Sequence, residues 1–357
     1  MMRAQSNYRV PLQQAGFSLV EVLVGMLMGL ITILVIFQVF AVFEGQKRTT
    51  GSTGDTQMNA SQAMMLIERD VRSAGYGFGV AGGIGCKVNA SFNGSTFSFY
   101  LAPLTITQGS GVQADTINIM GSTNNAFSVP ARVTVDHPPT AANFFLDSTE
   151  GMNVGDILIA YEPGKDCTML QVTNIPSGNI QVLHQNTSPW DPPGGQNIFP
   201  QPDGYTASGG SMLFNMGSFI DRTYSVAGSS VLGGLSLAEL NTSNNTTTNM
   251  TLVDGIVNLQ AQYGKDTDGN GTVDTWDTVT PTTNAGWQQV IAMRFALAAR
   301  SPLYEKTVVT ASGTAAWAGG GIALTLKPDG SAMPDWDHYR YTVMQTVVPL
   351  RNMIWRQ

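Results

Sequence analysis

The chain has 357 residues, a formal net charge of −7 and an unusually small share of charged side chains, 12%. With 43% hydrophobic residues it is too apolar for a disordered chain, and its length allows one large or two modest domains with a real core. Only 18 Lys and Arg face 25 Asp and Glu, and no basic run could follow a phosphate backbone, which excludes nucleic-acid binding as the main task.

The first predicted element is an N-terminal membrane-spanning helix. Between Glu21 and Glu44 lie 22 residues without a charge, which as a helix would measure about 33 Å and cross a bilayer core. A secretory signal peptide has a shorter apolar region of about 7–15 residues followed by a cleavage site, and neither feature is present here. The segment is therefore predicted to anchor the chain, with Arg3 and Arg9 holding the N-terminus in the cytoplasm.

Glu21 does not fit a plain anchor, because an intramembrane carboxylate costs at least about 2.5 kcal/mol unless it finds a partner. Cleavage just before Phe17 would create an amino group about one helical turn away, and its attraction to Glu21 would offset that cost. The residue before the cut would be Gly16. The run Gly-Phe-Ser-Leu-Val-Glu at 16–21 resembles the type IV prepilin processing site shared by pilins, minor pilins and type II secretion pseudopilins.

This resemblance implies a role for each of the three residues. A leader, residues 1–16, would be removed between Gly16 and Phe17, and Phe17 would become the N-methylated first residue. Glu21 would be the mature fifth-position glutamate, which in the family pairs with an N-terminal amine during assembly. The alternative is an ordinary anchor with a stray glutamate.

A second helical pattern follows the apolar segment. The polar stretch 46–57 contains Gly51 and Gly54, and it predicts a loosened or interrupted helix. Beyond it, apolar residues recur at helical spacing and predict a buried stripe made of Ala60, Met64, Ile67, Val71 and Ala74. Gly75 is predicted to end this helix. The charged residues of the same stretch are expected on its other faces: Glu68, Arg69, Asp70 and Arg72.

From residue 76 the pattern predicts short strands separated by Gly, Pro, Asn and Asp clusters, within a single domain that carries a β-rich insertion. Strands are expected at 96–101, 116–120, 132–135, 157–161 and 180–184, and three more at 255–263, 287–299 and 339–348. Long polar loops are expected at 187–210, which is rich in proline, and at 241–249.

Three runs, 65–76, 252–264 and 339–352, resemble PilW-type minor pilins of type IV pili. The resemblance implies an α+β, pilin-like fold in which a long N-terminal helix, 17–75, packs on an antiparallel β-sheet. Its transmembrane half would be 17–43 and its amphipathic half about 58–75, followed by a β-rich periplasmic domain at 76–357.

An Asp-rich loop at 266–277 is the strongest motif outside the N-terminus. Its side-chain oxygens and one glycine have the spacing of a calcium loop, and its predicted Ca²⁺ ligands are Asp266, Asp268, Asn270, Thr272 (through its carbonyl), Asp274 and Asp277. The last position holds aspartate instead of the usual glutamate, and the flanks do not look helical. An isolated structural calcium loop inside a β-region is therefore expected, with an acidic hairpin turn as the alternative.

Cys86 and Cys167 are the only cysteines. In an extracytoplasmic domain two cysteines are more often bonded than free, so a disulfide is expected, with two unrelated thiols as the alternative.

Other patterns are not interpreted as sites of chemistry. The G-x-G-x-x-G match at 77–82 follows a helix, whereas dinucleotide binding needs a preceding strand, so it is interpreted as a flexible glycine loop. His137, His184 and His338 are scattered along the sequence, and 335–338 reads as a turn before a strand. Because no nucleophile, base and orienting group are brought together, no enzymatic activity is predicted.

The resemblance favours a PilW-type minor pilin, a structural subunit that helps to prime or cap pilus assembly after leader cleavage. The implied partners are other minor pilins, the major pilin, the prepilin peptidase and the inner-membrane assembly platform, and no nucleic acid. The implied location is the inner membrane, with one span, a cytoplasmic leader and a periplasmic domain, and later the pilus.

Two other functions stay open on the sequence alone. A type II secretion minor pseudopilin shares the processing site and can also carry calcium. A tip adhesin on the same stalk could stack sugars on loop tryptophans, namely Trp190, Trp276, Trp317 and Trp336.

Overall fold

The computed structural model describes residues 16–79, 82–124, 129–178, 180–185, 187–191, 204–228 and 232–354. Almost all of the predicted leader and the middle of the Pro-rich stretch 187–210 lie outside these residues. The chain divides into two units, residues 1–52 and residues 53–357.

The helices and strands of the described residues follow in chain order. The helices are α1 Leu19–Ser73, α2 Asn284–Gln288 and α3 Arg351–Ile354. The first nine strands are β1 Lys87–Phe92, β2 Ser95–Tyr100, β3 Leu104–Thr107, β4 Thr116–Gly121, β5 Ala131–Arg132, β6 Asn143–Phe145, β7 Ile157–Tyr161, β8 Cys167–Gln171 and β9 Gln181–Leu183. The remaining strands are β10 Met212–Gly217, β11 Ile220–Ala227, β12 Gly234–Asn241, β13 Thr246–Asp254, β14 Ile256–Lys265, β15 Thr275–Asp277, β16 Val290–Arg300, β17 Thr314–Trp317, β18 Gly320–Ala323 and β19 Tyr341–Pro349.

Helix α1 is continuous over 55 residues, so the predicted interruption at 46–57 is wrong. Gly51 and Gly54 are both helical. Each glycine costs only about 1 kcal/mol relative to alanine, which a long, cooperatively formed helix tolerates.

The second part of α1 carries the predicted apolar stripe, which is buried. Ile67 and Val71 are fully buried in the main core, together with residues of the sheets described below. The helix ends where predicted. Gly75 adopts φ +76°, and its backbone N–H donates to the carbonyl oxygen of Met120 at 2.9 Å. Only glycine takes that backbone conformation without strain, so the chain leaves the helix axis at this residue.

Three larger sheets build the β-rich part, which confirms the predicted α+β class with antiparallel sheets. Their strand orders are β2-β1-β8-β7-β10-β5, β13-β12-β11-β4-β3 and β15-β14-β16-β19. All neighbours pair antiparallel except β1 and β8, which are parallel. The two small sheets are β17-β18 and β6-β9.

The central strands of the six-stranded sheet are buried on both faces. Along β7, Ile157 and Ile159 point into the main core, whereas Leu158 and Ala160 belong to a second core on the opposite face. All five residues of this strand are buried. This explains why the sequence reads as a continuous apolar run there instead of an alternating one.

The C-terminal sheet is centred on β16, which pairs with β14 on one side and β19 on the other. The expected strand at 287–299 begins at Val290 instead, because Trp287 lies in α2. Thr283 caps that short helix by accepting a hydrogen bond from the Gly286 N–H at 3.1 Å. The hairpin β17-β18 covers part of the outer face of this sheet through a third, smaller core around Trp317 and Ile322.

The polar stretch 241–249 is a hairpin and not the long loop that was predicted. Strands β12 and β13 pair over eight registered positions and are joined at residues 242–245. Asn245 takes φ +50° in this turn, a conformation that asparagine tolerates. Threonine suits an exposed strand because its branched Cβ fits a pleated surface. A polar run of threonines can therefore form a strand.

Candidate functional site

The predicted processing residues lie at the start of α1. Gly16 and Phe17 precede the helix, and the Phe17 side chain is 82% exposed. Glu21 lies in the first turn of α1, where the free N–H groups of a helix favour a negative charge. Within the described residues α1 is long and apolar enough to cross a membrane, and none of its most apolar 18-residue window is buried. These features are consistent with a single-pass membrane anchor.

Asp70, in the second part of α1, is the centre of a buried polar network that the sequence did not predict. The expectation that it lies on an outer face is wrong, because Asp70 is only 5% exposed. Its Oδ2 accepts hydrogen bonds from the Tyr224 hydroxyl at 2.7 Å and from Arg222 Nη1 at 3.1 Å, both on β11. Asp70 follows Ile67 by three residues, so the helical period itself places it on the packed side.

The arginine that is bonded to Asp70 also contacts a second carboxylate. Arg222 also contacts Glu239 on β12, with Nη2 and Oε1 2.7 Å apart. Burial would lower the pKa of Arg222, but Glu239 and Asp70 outweigh it and raise the pKa. Burial, reinforced by the hydrogen bond to Asp70, raises the pKa of the Tyr224 hydroxyl far above its usual value. Tyr224 therefore stays a neutral donor that holds α1 to the five-stranded sheet.

The end of α1 is also fixed by residues far along the chain. Asn352 Nδ2 donates to the carbonyl oxygens of Ser73 and Ala74 at 3.1 and 3.0 Å, which satisfies acceptors that a helix end leaves free.

The glycine run at 77–82 follows the helix directly. A Cβ on Gly77 would lie 2.4 Å from the Ser122 Cβ, and one on Gly79 would lie 2.6 Å from the backbone oxygen of Asn352. These two glycines permit close packing, and residues 80 and 81 of the predicted glycine loop lie outside the described residues.

The Asp-rich loop brings three of the predicted calcium ligands together. One carboxylate oxygen each of Asp266, Asp268 and Asp274 lies within 4.8 Å of the others. Asp266 is 4% exposed, and its oxygens accept hydrogen bonds from the backbone N–H groups of Gly269 and Gly271, both at 2.7 Å. Burial alone would raise the pKa of Asp266, but these donors together lower it.

The other predicted ligands have different partners. Asp277, in β15, accepts hydrogen bonds from Lys265 Nζ at 2.7 and 2.9 Å and is not part of the three-carboxylate cluster. Asn270 Oδ1 accepts the backbone N–H of Thr272 at 2.8 Å. Three converging carboxylates are the hard oxygen donors that Ca²⁺ prefers, and without a cation their charges repel one another. The donor set therefore fits a divalent cation at Asp266, Asp268 and Asp274.

Cys86 and Cys167 form a disulfide, as expected, with Cα atoms 5.9 Å apart and a sequence separation of 81. Cys167 begins β8, and the parallel pairing of β1 and β8 places it opposite Val88. The bond therefore ties two neighbouring strands of the six-stranded sheet across a long loop of chain.

Two of the loop tryptophans proposed for sugar stacking do not present a ring to solvent. Trp190 is 1% exposed and its Nε1 donates to the Thr242 carbonyl oxygen at 2.7 Å, while Trp317 is 9% exposed. Two of the three histidines are core residues with a partner, which agrees with their not being interpreted as sites of chemistry. His137 and His184 are paired in the second core, with their Nε2 atoms 2.9 Å apart, so they are not scattered in the fold.

Comparison with known proteins gives one match. Residues 223–352 match the sequence model of the family described as PilW, Type IV Pilus-assembly protein W, which covers a little over a third of the chain and contains β14, β16 and β19. No curated protein and no solved structure matches the chain. The PilW resemblance predicted from the sequence is thereby confirmed over residues 223–352, and it links this chain to type IV pilus assembly.

Proposed function

We propose that this chain is a minor pilin of a type IV pilus, a structural subunit that helps to prime or cap the filament. The observation that carries the proposal is α1 together with the PilW match. The first part of the helix exposes a long apolar surface, and its second part is packed into a β-rich body whose C-terminal sheet lies within the matched region. A subunit that is anchored first in lipid and later among other helices is expected to have one exposed apolar segment and one folded body.

The proposed mechanism begins at the N-terminus. Prepilin peptidase would cut between Gly16 and Phe17, leaving a new amino group, subsequently N-methylated, close to the carboxylate of Glu21. In the apolar interior of a filament, a carboxylate and an ammonium group that pair offset each other's desolvation cost. Glu21 would thus favour one axial position of the helix among its neighbours.

The rest of α1 would then exchange lipid for protein. Apolar side chains such as Leu27, Ile33 and Phe40 are more than half exposed, and they would pack against the helices of other minor pilins and of the major pilin. The inner-membrane assembly platform would drive this transfer from a single-pass precursor with a cytoplasmic leader and a periplasmic body. The hydrogen bond between Asp70 and Tyr224 would keep the body attached to the helix during this transfer.

We also propose that the Asp-rich loop binds a structural Ca²⁺ ion. Asp266, Asp268 and Asp274 would supply carboxylate oxygens, and the neighbouring Asn270 and Thr272 would supply further oxygens. Asp277 would join only after releasing Lys265. Bound Ca²⁺ would offset two of the three carboxylate charges and fix the loop between β14 and β15.

The test of the pilin role is complementation of a strain that lacks this chain. Wild type should restore surface pili, and Glu21→Ala should be cleaved normally yet restore few pili, because it lacks only the assembly charge. Glu44→Ala is the matched control at the other end of the apolar run and should behave as wild type. Normal piliation in the deletion strain, or equal defects in both variants, would refute the proposal.

A further inference from the structure

The second core lies on the face of the six-stranded sheet that is turned away from the main core. Leu158, Leu170 and Leu213 contribute to it from the sheet. The covering residues come from β6, β9, their flanking segments and the segment before β10, and include Phe144, Val182 and Tyr205. This core therefore depends on short elements that are far apart in sequence.

Two histidines join these covering segments. His137 and His184 are 7% and 9% exposed, and their Nε2 atoms lie 2.9 Å apart. Such a contact needs one Nε2–H donor and one Nε2 lone pair, so both rings can be neutral but they cannot both be cations. The His137 ring also stacks on Phe144, with centroids 3.7 Å apart and an interplanar angle of 7°.

The backbone around the pair connects three segments. His137 exchanges two hydrogen bonds with Tyr205, at 2.8 and 2.9 Å, and the His184 N–H donates to the Ala142 carbonyl oxygen at 2.9 Å. Separating the two rings would therefore loosen the segments before β6, after β9 and before β10 together.

Charged groups on the segments that pack around the pair have other partners. Asp136 accepts the Ala207 N–H at 2.8 Å, and Glu162 is bound by Lys165, Thr206 and Ser211. Burial and the charge of Asp166 raise the pKa of Tyr205, whose hydroxyl donates a hydrogen bond to the Asp166 carbonyl oxygen at 3.0 Å.

In the described part of the chain, no carboxylate contributes to the pKa of either imidazole. Burial lowers the pKa of His137 to about 4, and burial together with repulsion from His137 lowers that of His184 to about 3.

We propose that His137 and His184 form an acid-sensitive latch on the second core. At neutral pH the uncharged pair closes it. Protonation of either ring places charge among apolar side chains, and protonation of the acceptor ring also removes the Nε2 lone pair of the hydrogen bond, so this face of the sheet opens. The main core lies on the other side of the six-stranded sheet and contains neither histidine, so it stays folded.

The direction of the pH effect follows from linkage. An unfolded histidine titrates near 6.5, and both folded values are lower, so the closed state is fully stable above about 6.5 and loses stability as pH falls towards 4. Between pH 7 and 5 the opening equilibrium should rise about 20-fold for each histidine, and several hundredfold for both.

Hydrogen exchange of the full chain in detergent tests the latch, using protection factors corrected for the intrinsic effect of pH. From pH 7 to 5, the amides of His137, His184 and Tyr205 should lose protection several hundredfold. Amides of β14 and β16, such as those of Leu259 and Leu297, should keep theirs. Unchanged protection at the pair, or equal loss in both regions, would overturn the proposal.

Two variants distinguish protonation of the histidine pair from other effects of acid on the chain. His184→Gln keeps a hydrogen-bonding side chain and removes one titrating group, so only about a 20-fold loss should remain. His338→Gln is the matched control outside the second core and should retain the full loss; an equal reduction in both variants would refute the latch. If His184→Gln fails to fold, NMR titration of the wild-type imidazoles decides, since folded pKa values near 6.5 contradict the proposal.

Discussion

Asp70 offers the sharpest test of how α1 is held to the β-rich body. Removing its carboxylate with Asp70→Ala deletes the hydrogen bond from Tyr224 and the ion pair with Arg222, and leaves a buried tyrosine hydroxyl without its acceptor. Breaking a buried, hydrogen-bonded charge pair costs about 3–5 kcal/mol. The contact with Arg69 adds little, because that arginine side chain is 68% exposed and its charge is screened by water.

The loss of stability expected for Asp70→Ala is limited, because Arg222 retains a partner. Arg222 keeps its contact with Glu239, so it is not left as an isolated charge, and we expect about 3–4 kcal/mol for Asp70→Ala. Tyr224→Phe removes one hydrogen bond to a charged acceptor and should cost about 1.5–2 kcal/mol. Because the two side chains share that bond, the double variant should cost about 1–2 kcal/mol less than the sum of the single ones.

The assay is urea unfolding of the full chain in detergent, followed by near-ultraviolet circular dichroism. Glu68→Gln is the matched control, since its ion pair with Arg72 on the same helix is partly exposed to solvent and should contribute less than about 1 kcal/mol. If Asp70→Ala costs no more than this control, or if the double variant is simply additive, Asp70 does not anchor the helix.

Three further outcomes are expected. Millimolar Ca²⁺ should raise the melting temperature relative to chelator, and Asp266→Asn combined with Asp268→Asn should abolish that rise, as measured by scanning calorimetry. Replacing both Cys86 and Cys167 by alanine should lower the free energy of unfolding by about 4–5 kcal/mol in chemical denaturation, because the 81-residue loop is no longer closed in the unfolded chain. Gly79→Ala should cost about 1–3 kcal/mol in the same assay, since its Cβ would meet a backbone oxygen at 2.6 Å.

Each of these outcomes has its own control. Asp329→Asn removes an exposed turn aspartate outside the calcium loop and should leave the response to Ca²⁺ intact; a Ca²⁺ effect that survives in the double loop variant would contradict a site there. For the cysteines, reduction of the wild type should reproduce the double variant. Gly51→Ala, where an added Cβ meets nothing within 4 Å, should be neutral or slightly stabilising, so an equal loss at both glycines would argue against a packing effect at Gly79.

The helix and the central strands could be predicted because their signals are local. The apolar stripe around Ile67 and the glycine after it depend on neighbours within one or two turns, and the apolar run of β7 needs only its own five residues. The Asp-rich loop is local in the same sense, which is why its three carboxylates converge as the spacing predicts.

The contacts that the sequence did not predict join distant residues. Tyr224 is 154 positions from Asp70, and His184 is 47 from His137, so no spacing rule connects them. The charge of Asp70 favours an outer face, but its helical position places it on the packed side, where a hydroxyl and a guanidinium compensate the cost of burying a carboxylate. At 241–249 polarity predicts a loop, whereas the threonines there form a paired strand of a hairpin.

The contact of Asn352 with the end of α1 also constrains the order of folding during synthesis. Asn352 follows Ser73 by 279 positions, and β19, just before it, completes the C-terminal sheet. The apolar helix therefore leaves the ribosome long before its packed end can be finished. Until β19 and Asn352 emerge, the stripe around Ile67 cannot reach its final burial, and a stalled or truncated chain would present it to chaperones and proteases.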